Sequence, residues 1–164
     1  MSIEIVIEFN CIFISLKPID MSVSDRLKAI REEKAAANLV AAENFLAENA
    51  TQPGVVVMTS GLQYQILVEG QGDKPALHNM VTCHYHGTLI SGEVFDSSVK
   101  RGQPASFPVN GVIKGWIEAL QLMPVGSKWR LFLHPDLAYG DRQVSAVIGP
   151  NCAVVFDVEL LSIR

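Results

Sequence analysis

Nothing in this chain reads as a chemical reagent. A glycine-rich phosphate loop, an HExxH helix and a GxSxG nucleophile turn are all absent, which removes the usual signatures of kinases, zinc peptidases and serine hydrolases. The three cysteines, Cys11, Cys83 and Cys152, are odd in number and form no CxxC pair. Neither a disulfide framework nor a zinc site follows from them, and a reducing compartment, the cytoplasm, is the expectation, with the periplasm left open. Lys and Arg number 13 against 17 Asp and Glu, for a net charge of -4, and they are scattered; no basic footprint points to nucleic acid. No apolar run reaches the roughly 18 residues of a helical membrane span, so no membrane partner is expected.

What the chain does have is apolar bulk, 49% of its 164 residues, enough for one buried core plus an appendage. Residues 1–20 fit neither part. Ile3, Ile5, Ile7 and Phe9 alternate as in a strand, while Glu4 and Glu8 come before the apolar stretch, unlike the basic start of a secretory signal. Met21 then opens a helix signal, and residues 1–20 are expected to be a leader outside the natural translation product. From Ser22 to about Asn49 the chain turns to Ala, Glu, Lys and Leu without Gly or Pro, a helical composition. Ser22, three residues before Asp25, is a capping signal, and Pro53-Gly54 ends the segment. Leu27, Ile30, Ala37, Ala41 and Phe45 form a narrow apolar stripe interrupted by Lys34. Two readings stay open: a solvated linker helix packed only at its end, and a helix that pairs two copies.

After Gly61 the period drops to two. Leu62, Tyr64, Ile66 and Val68 face one way, with Gln63, Gln65 and Glu69 opposite, the pattern of a half-buried strand. Similar runs follow over 81–89, 105–109, 127–133 and 152–163, bounded by Gly, Pro, Asn or Asp. One short helix, 116–123, interrupts them before Pro124-Val125-Gly126. The pattern predicts an α+β fold: a twisted antiparallel sheet wrapped on one short helix, preceded by a long N-terminal helix.

His84 and His86 share a strand face, which invites a metal, but two imidazoles make no site. Edge-strand histidines facing solvent are the competing reading, and no metal and no cofactor are expected. The remaining constellation is apolar and aromatic, with Asp96 its one charge: Tyr85, Phe95, Phe107, Val112, Ile113, Trp116, Tyr139, Ile148 and Phe156. By composition alone these are core residues.

Their spacing says more. Val94-Phe95-Asp96-Ser97-Ser98, Gly111-Val112-Ile113-Lys114-Gly115-Trp116, Leu137-Ala138-Tyr139-Gly140 and Val155-Phe156-Asp157-Val158-Glu159-Leu160 occur in one order. That order resembles the FKBP-type peptidyl-prolyl isomerases, and Pro108-Val109-Asn110-Gly111 looks most like their small bacterial members, including the macrophage-infectivity-potentiator group. The resemblance runs from about Gly61 to Arg164 and implies three segments: the leader 1–20, an N-terminal helix 21–52 and an isomerase domain 58–164. It implies an enzyme that accelerates rotation of the bond before proline, with proline-containing polypeptides as substrates and macrolides as inhibitors. A peptide-binding chaperone module with little turnover is the alternative.

Residue by residue, the resemblance implies Trp116 as pocket floor and Phe95, Phe107 and Phe156 as walls, with Val112 and Ile148 completing the substrate-binding surface. Tyr85, Asp96, Tyr139 and the Ile113 N–H carry the polar, catalytic contacts. It also implies a homodimer through the N-terminal extension, here shortened to one helix. Three places depart from the family pattern. Ala105 stands where relatives often carry an aromatic, Val144-Ser145-Ala146 where the loop is usually richer in Gly and Pro, and Ile148-Gly149-Pro150 where Ile-Pro-Pro is common.

Overall fold

The computed structural model describes residues 22–164; the expectations for the leader and for a start at Met21 lie outside them. Helix α1 spans Val23–Asn49. The Ser22 hydroxyl accepts the Asp25 N–H at 3.2 Å, so the predicted cap is made. Seven strands follow in one antiparallel sheet: β1 (Val55–Val57), β2 (Gln63–Val68), β3 (Met80–Leu89), β4 (Val94–Ser97), β5 (Ala105–Pro108), β6 (Lys128–Leu133) and β7 (Val154–Ile163). The order is β1-β2-β6-β7-β3-β4, with β5 also on β3. Two short helices lie between strands, α2 (Ser98–Arg101) and α3 (Lys114–Leu122).

The central pair is β3 with β7, in register from Val81↔Ile163 to Leu89↔Val154 with one shift. Alternation sorts the side chains. Val154, Phe156, Val158 and Leu160 of β7 join Val81 and Cys83 of β3 and Trp129, Leu131 and Leu133 of β6 on one face. Trp116, Ala119 and Leu120 of α3, with Met123 just beyond it, are 0–4% exposed against that face. Each large side chain buried there contributes about 1.5–3 kcal/mol, which makes α3 the keystone of the core. Close approach is possible because Gly115 opens the helix: a Cβ there would lie 2.5 Å from Leu133 Cδ2.

The last turns of α1 cross the opposite face of the sheet. Phe45 meets Phe132 of β6 at 6.1 Å between ring centroids, and the Gln63 amide donates to the Leu46 carbonyl while accepting from Asn49. Ala42, Leu46 and Asn49 are the buried positions of the helix, whereas Leu27 and Ile30 are exposed. The predicted Phe45 therefore lies on the packed stripe while the predicted Ala41 is exposed, and the stripe exists only in the second half of α1.

Three local expectations change. β2 is half-buried only at its start, since Ile66 and Val68 are exposed and Gln63 is buried; β1 pairs only Gln63–Gln65, so beyond them β2 is flanked by β6 alone. β3 is not an edge strand, because β7 flanks one side and β4 and β5 the other. β1 and β4, only three and four residues long, carry too little periodicity to be read as strands.

Candidate active site

The end of the sheet where β3, β4, β5 and β7 meet the N-terminus of α3 holds a cleft of about 390 Å³, within the range of small-ligand sites. Each element contributes one or two side chains: Tyr85 from β3, Asp96 from β4, Phe107 from β5, Gly111, Val112 and Ile113 from the turn before α3, Trp116 from its first turn, Tyr139 from the loop after β6, and Phe156 from β7.

Trp116 is the hub. Its ring stands edge-on to Phe156 at 5.1 Å and to Tyr85 and Phe107 at 5.5 Å, and Phe95 backs Phe156 at 5.4 Å. Such pairs contribute about 0.5–1.5 kcal/mol each beyond their burial, so the walls hold one another in place. The indole N–H of Trp116 is buried and meets no acceptor among the described residues. Ile113, the residue capping α3, offers no side-chain cap, and its own N–H likewise has no acceptor among the described residues. A free Ile113 N–H beside an aromatic cleft favours a ligand that brings a carbonyl oxygen.

One wall is polar and internally closed. The Tyr85 hydroxyl donates to Asp96 Oδ2 at 2.6 Å, Arg101 Nη2 donates to the Tyr85 oxygen at 2.9 Å, and Arg101 Nη1 pairs with Asp96 Oδ1. The Arg101 guanidinium also lies 5.6 Å from the Tyr85 ring centroid. Partial burial pulls the Asp96 carboxyl up, but the Tyr85 hydroxyl and Arg101 outweigh it and hold it below its ordinary value. Burial, reinforced by the negative Asp96, raises both Tyr85 and Tyr139 above the ordinary tyrosine range. At neutral pH the wall is thus a carboxylate, two neutral phenols and a guanidinium. None of these is poised to exchange a proton.

Of the ten residues singled out from the sequence, eight line the cleft: Tyr85, Asp96, Phe107, Val112, Ile113, Trp116, Tyr139 and Phe156. Phe95 stands behind Phe156 instead. Ile148 is buried in the following loop, where its N–H donates to Ser145 Oγ at 2.9 Å and its carbonyl accepts from Val144. Gly111 and Arg101 were not legible. Arg101 comes to the site only because Ser97 caps the single-turn α2 and swings that helix back over β3, and an arginine five residues after Asp96 gives no signal by itself.

The competing chemistries gain nothing. His84 and His86 bond Ser98 and Ser97 through Nδ1, and no cluster of three or more metal-ligating side chains occurs among the described residues. Burial pushes the Cys83 thiol up to about 12, which keeps it protonated.

The family model described as FKBP-type peptidyl-prolyl cis-trans isomerase matches residues 72–161, and one described as a domain amino terminal to FKBP-type peptidyl-prolyl isomerase matches residues 15–66. The chain is 51% identical over 141 residues to the FKBP-type 22 kDa peptidyl-prolyl cis-trans isomerase of Escherichia coli K12, covering 86% of this chain and 68% of that protein. It is 51% identical over 132 residues to the outer membrane protein MIP of Legionella longbeachae, covering 80% of this chain and 57% of that one. Among solved structures, FkpA from Escherichia coli superposes with a TM-score of 0.80 at 36% identity, covering 88% of this chain and 74% of that chain. The chain thus spans a little over half to about two thirds of the curated relatives it matches.

Proposed function

The chain belongs to the FKBP-type peptidyl-prolyl cis-trans isomerase family, and on that premise we propose that its cleft accelerates rotation about the peptide bond preceding proline in peptides and folding proteins. The observation that carries this reading is the aromatic floor, Trp116 ringed by Tyr85, Phe107 and Phe156, with the unpartnered Ile113 N–H at its rim.

Amide resonance sets a barrier of about 18–20 kcal/mol, and no covalent bond has to break. In the twisted state nitrogen and carbonyl lose conjugation, the amide is less polar than when planar, and water stabilises it less. A dry aromatic cleft favours that state relative to water. An acceleration of about four powers of ten takes roughly 5.4 kcal/mol of differential stabilisation. The Ile113 N–H holds a substrate carbonyl, and the Tyr85, Asp96 and Tyr139 wall supplies the polar contacts. Phe95 acts by propping Phe156, and Ile148 by closing the loop beyond Tyr139. Macrolides of the immunophilin-ligand class occupy the same floor.

NMR exchange spectroscopy on an Ala-X-Pro peptide tests the reading: the chain at a catalytic ratio should broaden or exchange-couple the cis and trans signals. Binding without exchange would overturn it in favour of a chaperone module.

Val23, Leu27 and Ile30, all exposed near the start of α1, support a homodimer through that helix. Sedimentation of the full chain should give a dimer, and Leu27→Ser with Ile30→Ser a monomer. Both described cysteines are free, in keeping with a cytoplasmic site, whereas the Legionella relative is named for an outer membrane. No described helix is long and apolar enough to cross a membrane. Cell fractionation separates the two locations.

A further inference from the structure

Helix α1 reaches beyond the sheet to the loop that follows Tyr139. The Asn38 side-chain amide donates to the Pro150 carbonyl at 2.8 Å, and the Asn151 amide donates back to the Ala35 carbonyl at 3.3 Å. Gly149 lies between them: a Cβ there would be 3.3 Å from Asn38 Nδ2 and 3.6 Å from Lys34 Cε. Ile148, Gly149 and Pro150 are buried although residues 141–146 are exposed. Asn151 is the one non-glycine with positive φ among the described residues, at 55°, a conformation asparagine tolerates better than most. In that pose its backbone N–H donates to the Gly140 carbonyl at 2.8 Å, next to Tyr139 in the cleft wall.

We propose that Asn38 and Asn151 are positioning residues. Together they clamp the 141–151 loop to α1 and, through the Asn151 to Gly140 bond, hold Tyr139 in the cleft wall. This rests on the isomerase reading of the cleft. The N-terminal helix then takes part in the site without touching substrate. A loop with few glycines and prolines of its own is set from outside by a helix more than 100 residues away in sequence.

The test uses the full chain and a tetrapeptide with a central Leu-Pro bond. Asn38→Ala keeps the helix, since alanine is the best helix former. Asn151→Gly keeps the positive φ and removes only the side chain. Each should lower kcat/KM about three- to fivefold, the scale of one lost part-buried hydrogen bond, with no loss of the folded state by circular dichroism. In a Tyr139→Ala background neither should have a further effect. Amide exchange at Asn151 should accelerate in Asn38→Ala, a readout independent of turnover. Unchanged exchange would overturn the clamp. Faster exchange with unchanged kcat/KM, or losses additive with Tyr139→Ala, would overturn its role in the site. If the unsubstituted chain does not isomerise the peptide, the isomerase reading fails and the positioning role with it, while the exchange rate still decides whether the clamp exists.

Discussion

Gly87 lies in β3 opposite Phe156 of β7 and Asp96 of β4, where the sheet passes directly beneath the cleft wall. A Cβ at this position would stand 2.7 Å from Phe156 Cε1 and 2.7 and 2.8 Å from two carbons of the Phe95 ring. Carbon contacts are comfortable at about 3.5–4.0 Å, so Gly87→Ala must push these rings back by about 1 Å. Phe156 is 3% exposed and packed against Trp116, whereas Phe95 is partly exposed and gives way more easily. Overpacking of this kind costs about 1–3 kcal/mol, offset by about 0.5–1 kcal/mol from the reduced freedom of the unfolded chain. A net loss of about 1–2 kcal/mol corresponds to a Tm lower by about 2–8 °C for a protein of this size. Displacing the Phe156 wall should also lower kcat/KM about tenfold or more. Scanning calorimetry and the NMR exchange assay read the two effects separately. An unchanged or higher Tm would refute the crowding argument. A lower Tm with unchanged kcat/KM would refute the assignment of Phe156 as a wall that substrate feels.

Asp96→Ala and Tyr85→Phe should each lower turnover about tenfold while the chain stays folded, because each removes part of a polar contact and no proton transfer; complete inactivation of a folded variant would point to acid/base chemistry instead. Turnover should be flat from about pH 6 to 8, since Asp96 lies below and Tyr85 and Tyr139 lie above their ordinary values. The lowered Asp96 pKa adds stability that is present above the ordinary carboxylate value and lost as pH falls through the folded one. Urea midpoints measured from pH 7 downward should therefore stay level and fall only in the acid range; a step near pH 6.5 would implicate a histidine. A saturating macrolide should quench Trp116 and leave Trp129 nearly unchanged, because Trp129 is stacked on Tyr64 at 4.3 Å, away from the cleft lining. Comparing Trp116→Phe with Trp129→Phe assigns the signal, and unaltered Trp116 emission would mean that the floor is closed to such ligands.

Much of this was legible from local rules. The strand runs 81–89, 127–133 and 152–163 were read from alternation, and in β6 that alternation turns Trp129, Leu131 and Leu133 to the face packed on α3, where all three are buried. The short helix before Pro124, expected over 116–123 and found over Lys114–Leu122, and the Ser22 cap were equally readable, since a cap or a helix stop is a property of a few adjacent residues. The cleft was legible only through the family resemblance: eight of the ten residues that it implied line one cleft, although Tyr139 sits in a loop and Val112 and Ile113 in a turn, where no strand or helix period acts.

Other features belong to the tertiary structure alone. Phe95 and Ile148 share the chemistry of wall residues, yet whether a side chain faces the cleft or its backing depends on how neighbouring strands twist together. Arg101 reaches Asp96 and Tyr85 only once α2 folds back over β3. In α1 the buried face kept the predicted Phe45 but otherwise fell on Ala42, Leu46 and Asn49, because an alanine-rich helix offers several nearly equivalent faces to choose from. The contact from Asn38 to Pro150 spans 112 residues. No period, cap or turn rule acts over such a distance, so only the packed fold could bring a polar helix side chain to that carbonyl.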